Sequence, residues 1–263
     1  MNERSRVRLI SVLAVAMAVG LPGVALGQGT LFFSADNDTQ GLYSLDTTTG
    51  AATHVGISGV TSNTVGLAPS SSTKLLYGSK WSTLLHINAD GSGAVDVGGV
   101  GTEGLAFDMS TETLYGAING SFFTVDPATG AQLTSLAMPP GGADLEGIAF
   151  GNGGVYGIEG YSDPTDFNLY FYDPGPGTWS IVGDTGMDWY LCGLAYDPFE
   201  DMLYAKSDGD MNLYAIDPHT AATTVVGSTG LLPGGGLAYV IPEPMTLSLL
   251  AVGLLGVTRR RRT

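Results

Sequence analysis

The triplet Gly-(Leu/Ile)-Ala occurs five times in this chain, at Gly66, Gly104, Gly147, Gly193 and Gly236, at intervals of 38, 43, 46 and 43 residues. A recurring period near forty marks a repeat architecture, in which each unit buries its apolar face against the next. Three further elements follow the triplet in fixed order. The first is an apolar stretch ending on an aromatic: LLYG (75–78), TLYG (113–116), GVYG (154–157) and MLYA (202–205), with TLFF (30–33) as a looser copy. The second is an alternating run that closes on Asp46, Asn88, Asp126, Asp173 or Asp217. The third is THVG (53–56), VDVG (95–98), SIVG (180–183) and TVVG (224–227), replaced by TSLA (134–137) in the third period.

Each element alternates with period two between turn residues, which predicts strands. The turns DPATG at Asp126 and DPHTA at Asp217 place a carboxylate that can close an Asx-turn before a proline that presets φ. Gly50, Gly130 and Gly177 stand where a bulged hairpin needs positive φ. Asp46, Asp126, Asp173 and Asp217 are therefore read as turn formers, not catalysts. Four strands per period predict an all-β fold, a β-propeller. A parallel β-helix is the main rival, with coils shorter than this period. The Gly-(Leu/Ile)-Ala strand belongs innermost, where strands crowd, with Leu105 and Phe107 packed between blades.

Four copies are complete. Residues 30–58 supply the second, third and fourth strands of another and lack the first, whereas GGLAYV (235–240) is a first strand with nothing after it. The fragments complement each other. Five blades are expected in one domain, residues 28–240, closed by the C-terminal strand so that no sheet edge stays open.

Composition narrows the function classes. The chain has 263 residues, and its 40 glycines follow no G-X-Y period, which excludes collagen. A 9% aromatic content excludes a disordered chain. All seven arginines sit at the two ends. Residues 28–240 hold three lysines, Lys74, Lys80 and Lys206, against 23 acidic residues, leaving a formal charge of −20. Nucleic-acid affinity rests largely on cationic neutralisation of phosphates, so that partner is excluded. Cys192 is the single cysteine; no disulfide can form within the chain, and the residue reads as a small buried hydrophobe.

The two ends read as addresses. Residues 1–27 have a basic start (Arg4, Arg6, Arg8), an apolar run (9–19), and small residues before a predicted cleavage between Gly27 and Gln28. This is the layout of a secretory signal peptide, the alternative being an uncleaved N-terminal anchor. The other end, residues 241–263, begins with Pro242, Glu243 and Pro244, continues as an apolar run, and closes on Arg259, Arg260, Arg261 and Arg262. As a helix, 241–258 would reach about 27 Å, which matches a thin bilayer. Arginines resist translocation, so the tail predicts a transmembrane helix with residues 28–240 outside the cytoplasm. This tail resembles the PEP-CTERM sorting signal of bacteria. The resemblance implies recognition of Pro242, Glu243 and Pro244 by an exosortase-type membrane enzyme, removal of the tail, and a destination at the cell surface or in an extracellular polysaccharide matrix. A plain stop-transfer anchor is the alternative.

Templates for chemistry are incomplete. Gly99–Gly104 matches GxGxxG, but a strand follows it where pyrophosphate binding needs a helix N-terminus. His54, His86 and His219 fall in different blades, without zinc-ligand spacing. There is no Gly-x-Ser-x-Gly elbow. The candidate metal site is acidic: Glu103 and Glu146 precede adjacent inner strands, with Asp144 two residues upstream, at a mouth of the central channel. Carboxylates without bases suit Ca²⁺, and no other cofactor is expected. Asp36-Asn37-Asp38 and Asp208-Gly209-Asp210 resemble fragments of calcium loops but lack the terminal Glu. Trp179, Trp189, Tyr190 and Tyr161 could stack on sugars or fill the core between blades. The expected function is an exported noncatalytic propeller, a binding or structural component of the cell surface or matrix whose partner is a polysaccharide or a surface protein. The alternative is a calcium-dependent propeller hydrolase or lactonase.

Overall fold

The computed structural model describes residues 29–35, 41–56, 64–99, 101–160 and 167–242. The export signal with Gly27 and Gln28, the Asp36–Asp38 hairpin, Tyr161, and the tail from Glu243 through Arg262 lie outside them. The described residues belong to one compact unit, residues 29–243. Among them every element is a strand except a 3-10 turn at Pro140–Gly142.

Blade one takes β1 (Thr30–Ala35), β2 (Leu42–Leu45) and β3 (Ala52–Gly56). Blade two is β4 (Thr64–Pro69), β5 (Leu75–Lys80), β6 (Thr83–Asn88) and β7 (Ala94–Gly98). Blade three is β8 (Gly104–Asp108), β9 (Thr113–Ile118), β10 (Ser121–Val125) and β11 (Gln132–Ser135). Blade four is β12 (Leu145–Gly151), β13 (Gly154–Glu159), β14 (Asn168–Asp173) and β15 (Thr178–Asp184). Blade five is β16 (Gly193–Asp197), β17 (Met202–Lys206), β18 (Asn212–Ile216) and β19 (Thr223–Ser228). The last strand, β20 (Gly235–Val240), returns to blade one and pairs antiparallel with β1 from Thr30↔Val240 to Ala35↔Gly235. Five four-stranded sheets result, a five-bladed β-propeller closed by its C-terminal strand.

The turns form as their residues dictate. The Asp46 carboxylate accepts the amides of Thr48 and Thr49 at 2.8 and 2.9 Å. Asp126, Asp173 and Asp217 each accept the amide two residues on, at 2.9, 2.9 and 2.8 Å. Gly50, Gly130 and Gly177 take φ of 79°, 70° and 70°.

The core divides into wedges, one at each interface between blades. Leu105 and Phe107 of blade three pack with Tyr77 and Leu84 of blade two. Trp189 and Cys192 join Tyr156 and Ile158 between blades four and five. The seam where the chain closes is filled by Phe33, Tyr204, Leu213 and Tyr239. Each wedge needs both neighbours, so a blade cannot bury its own apolar faces alone.

Toward the axis the inner strands β4, β8, β12, β16 and β20 meet one another. Side chains cannot stand between them. A Cβ at Gly193 would come within 2.3 Å of the Gly235 carbonyl, and one at Gly236 within 2.3 Å of the Leu67 nitrogen. At Gly147 the nearest approach would be 3.1 Å. The glycine of the repeated triplet thus permits backbone to lie against backbone around the ring.

A buried lysine fastens the closing seam. Lys206, at the end of β17, has no exposed surface. Its ammonium donates to the carbonyls of Ser207 (2.7 Å), Pro233 (3.0 Å), Leu232 (3.3 Å) and Asp210. It also stands 5.9 Å from the Phe33 ring centroid, on β1. Residues 232–233 lead into β20, so one charge ties blade five to the chain that completes blade one. Burial pulls its pKa down to about 8, opposed by Asp210 and Asp208, and it stays protonated at neutral pH.

Three substitutions test this frame. Gly236→Ala should destabilise the propeller by about 2–3 kcal/mol through forced backbone displacement, and Gly147→Ala by clearly less. Equal urea midpoints for the two variants would count against axial crowding. Lys206→Met, which keeps the stem but removes the ammonium from the Ser207, Asp210 and Pro233 carbonyls while Leu232 keeps the Gly209 amide, should cost about 3 kcal/mol in the same measurement.

Candidate functional site

The inner strands define two mouths, and the sequence directs attention to the one at their N-terminal ends. Glu103 immediately precedes β8, and Glu146 is the second residue of β12. Both are buried, and together with Val65, Leu191, Cys192 and Gly235 they line a cavity of about 10 Å³. That is room for about one water molecule at most. Asp144 stays half-buried beside them, its carboxylate accepting the Gly120 amide at 2.7 Å. Glu103 accepts the Asn119 amide at 3.3 Å. Among the described residues no group of three or more His, Cys, Asp or Glu side chains is arranged to hold a metal ion. Glu103, Glu146 and Asp144 share an electrostatic neighbourhood without converging on a point.

That neighbourhood changes Glu146. Burial is the main cause, with repulsion from Glu103 and Asp144 added, and the pKa rises to about 8. Glu103 is raised as well, again mainly by burial. At neutral pH Glu146 is therefore a neutral acid. A cation binding there would first have to displace its proton. The Cys192 thiol is fully enclosed and its pKa is pushed up by burial and by Glu146, so it is no nucleophile.

Between the mouths the axis is closed. Leu67, Leu105, Ile148, Leu194 and Leu237, one from each blade, leave a void of about 20 Å³. Nothing passes through the ring.

The roomy site lies at the other mouth, around the C-terminal ends of the inner strands. It is a bowl of about 620 Å³, within the range of small-molecule sites. Its wall carries Pro69, Phe107, Phe150, Tyr196 and Tyr239, each the residue that follows a Gly-(Leu/Ile)-Ala triplet, with Ile241 beside them. Four of the five are aromatic. Behind each aromatic stands the tyrosine of the preceding blade's second strand. Tyr77 lies 5.2 Å from Phe107; Tyr115 stacks on Phe150 at 6.3 Å, and Tyr156 on Tyr196 at 6.1 Å. Tyr204 shares a wedge with Tyr239. The aromatic of the repeated LYG element thus serves to hold up the bowl.

The polar groups of the bowl are bonded within the protein. Asp108 accepts from the Ser110 amide and hydroxyl at 2.8 and 2.7 Å and from the Thr111 hydroxyl at 2.7 Å. The Tyr196 hydroxyl is shared between Asn152 Oδ1 and Asp201 Oδ1, each at 2.8 Å. The Asn152 amide donates to the Tyr156 hydroxyl at 3.0 Å and to Asp201 at 3.1 Å. His219 pairs with Asp201 at 2.8 Å. Those bonds hold the exposed Asp201 carboxyl down at about 2 and raise the His219 pKa. The Tyr239 hydroxyl is bonded to Asp197.

Sequence reasoning missed this bowl because it weighed acids as candidate chemistry and aromatics as core. The signal was present in the residue after each triplet: Pro, Phe, Phe, Tyr, Tyr. Other singled-out residues have structural roles. Trp189 is buried and donates to Thr185 at 2.9 Å. Trp179 donates to the Ala137 carbonyl at 2.8 Å, and Tyr190 is exposed. In the Asp208–Asp210 turn, Asp210 caps Asn212 at 2.7 Å and its carbonyl holds Lys206.

No protein-family model matches the chain, and no curated protein matches its sequence. Solved structures do. A chain of a nidogen/laminin complex is 14% identical over 80% of this chain and 81% of that one, with a TM-score of 0.53. Glutaminyl cyclase of Myxococcus xanthus is 20% identical over 72% and 74%, with a TM-score of 0.46. Hydrazine synthase of Kuenenia stuttgartiensis is 18% identical over 62% and 49%, with a TM-score of 0.43. The first likeness bears on the fold alone.

Glu146 gives a pH test with a definite sign. Its pKa is about 8 when folded, against about 4.3 for a free glutamate. Between those values the folded protein keeps a proton that the unfolded chain has released, so stability falls as pH rises through this window. Glu146→Gln has no proton to lose. The variant should match the parent near pH 4.5 and exceed it by on the order of 3 kcal/mol at pH 8. Urea unfolding at both pH values checks this; an equal difference at the two would refute the shifted carboxyl.

Proposed function

We propose that this chain is an exported, noncatalytic β-propeller that serves as a binding or structural component of the bacterial cell surface or extracellular matrix. It reaches that place through a secretory signal, residues 1–27, and a PEP-CTERM-type tail processed by an exosortase-like membrane enzyme. A matrix polysaccharide or a surface protein is its partner, and the tail holds it to the membrane until processing.

The aromatic bowl carries this reading. It has room for a molecule, which the cavities at the acidic mouth and along the axis do not. Its wall is built from the ends of the inner strands and the turns that follow them, and its polar groups are held in bonds that position surface and not reacting atoms. The acidic mouth offers a poor setting for hydrolysis, since Glu146 holds its proton at neutral pH in a cavity no larger than a water. For a calcium-dependent hydrolase, Asp144 would have to leave the Gly120 amide to join Glu103 and Glu146.

The sorting motif follows the fold closely. Val240 is the last paired residue of β20, and Pro242 is exposed two residues on, with Ile241 in the bowl wall between them. The processing enzyme would meet its motif against the bowl face of a folded ring.

In a host with the sorting machinery, a Pro242→Ala, Glu243→Ala, Pro244→Ala variant should keep its tail, and normal processing would refute the sorting assignment. A Phe150→Leu, Tyr196→Leu variant should be exported and processed normally but wash out of the surface or matrix fraction several-fold more readily. Undiminished retention of that variant would remove the bowl from the binding role.

A further inference from the structure

We propose that the bowl is a binding site for an organic cation of the alkylammonium class, presented as the head of a larger molecule. This deepens the binding-module reading and rests on it. Three features of the wall select the charge and the apolar jacket together.

The first is the spent donors. Ser110, Thr111, Asn152 and Tyr196 all direct their side-chain hydrogens to protein acceptors, and Tyr239 is bonded to Asp197. A sugar needs donors for its ring and hydroxyl oxygens, and the side chains of this wall have none to give. What they offer is ring and aliphatic surface plus the Asp108 carboxylate. An alkylammonium asks for nothing else, since its methyl or methylene groups carry the charge and accept no hydrogen bond.

The second is the state of the tyrosines. The Tyr196 hydroxyl leans on the Asp201 carboxylate at 2.8 Å, and that of Tyr239 on Asp197. A phenol hydrogen-bonded to a carboxylate is polarised toward phenolate, which adds electron density to its ring and deepens the negative face that attracts cations. Two of the four aromatics are strengthened in this way.

The third is the sign of the surroundings. Asp108 lies in the wall, Asp197 and Asp201 stand behind the tyrosines, and no Lys or Arg lines the bowl. Anionic ligands are repelled, and an uncharged apolar one gains nothing from the field. The volume of about 620 Å³ exceeds what a bare ammonium head fills, so the remainder of the ligand lies along the wall toward Ile241.

The experiment compares charge at constant shape on the purified full-length chain. Choline, its uncharged isostere 3,3-dimethylbutan-1-ol, cellobiose, and a peptide carrying trimethyl-lysine are titrated by isothermal calorimetry and ligand-observed NMR. Choline or the peptide should bind at least about threefold tighter than the isostere. A better fit of the peptide points to a protein side chain as the source, and a better fit of choline to a small free cation. Tyr196→Phe keeps the ring and loses the carboxylate bond, so it should reduce choline affinity while leaving the isostere unchanged. Equal binding of choline and isostere, or binding of cellobiose without choline, overturns the proposal. So does a Tyr196→Phe variant of unchanged choline affinity and unchanged circular dichroism. The retention assay with Phe150→Leu, Tyr196→Leu does not depend on ligand charge, so it separates failure of this class from failure of the binding reading.

Discussion

Everything in this molecule follows from how closely five strands approach one axis. Backbone meets backbone there because the repeated triplet puts glycine where a Cβ would strike the neighbouring strand, most severely at Gly193 and Gly236. With so small a ring, the leucine or isoleucine after each glycine suffices to seal the channel. A sealed channel turns the propeller into a solid disc with two unlike ends. Function is displaced from the axis to the mouths. The residue after each triplet, freed from the crowding, is the first with room for a large side chain at the rim, half-buried at Phe150 and Tyr196 and buried at Phe107 and Tyr239.

Closure is the second dependency, and a buried charge serves it. The chain meets itself at blade one through β20 and β1, and Lys206 reaches across to carbonyls of the segment that feeds β20. A buried ammonium costs desolvation energy wherever it sits. Here it supplies a donor for carbonyls that no strand ladder reaches, including those on the segment that carries the chain from blade five into β20. The neighbouring Asp208–Asp210 turn, whose spacing resembles part of a calcium loop, brings the Asp210 carbonyl to a lysine.

The fold was legible because every level of the sequence repeats. Period-two alternation marked the strands, Asp and Gly at fixed offsets marked the turns, and the orphan GGLAYV completed the only copy that lacked an inner strand. The site was less legible. Glu103 and Glu146 do lie at a mouth, as their place before the inner strands implies, but the sequence contains no measure of space. The cavity there is about 10 Å³, and Asp144 is committed to the Gly120 amide. The bowl needed a different comparison, along the column of residues at one repeat position. Phe107 read alone is core, and indeed it packs on Tyr77. Only the set from Pro69 to Tyr239 shows that the same position recurs around a rim.

The placement of positive charge explains why both mouths share one sign. The described fold has three lysines. Lys206 is enclosed by carbonyls, Lys80 is paired with Asp96 at 2.9 Å, and Lys74 is exposed in the turn after β4 without lining the bowl. Two of the three charges are thus spent on structure, and with 23 acidic residues against three lysines over residues 28–240 the acidic excess of the ring dominates what approaches it. At the closed mouth burial, with repulsion from Glu103 and Asp144 added, makes Glu146 keep its proton. At the open mouth the acidic excess is delivered through hydroxyls into aromatic rings, a form of negative charge that survives contact with apolar surface. A ring that must exclude polar side chains from its axis can therefore still be selective for charge at its rim.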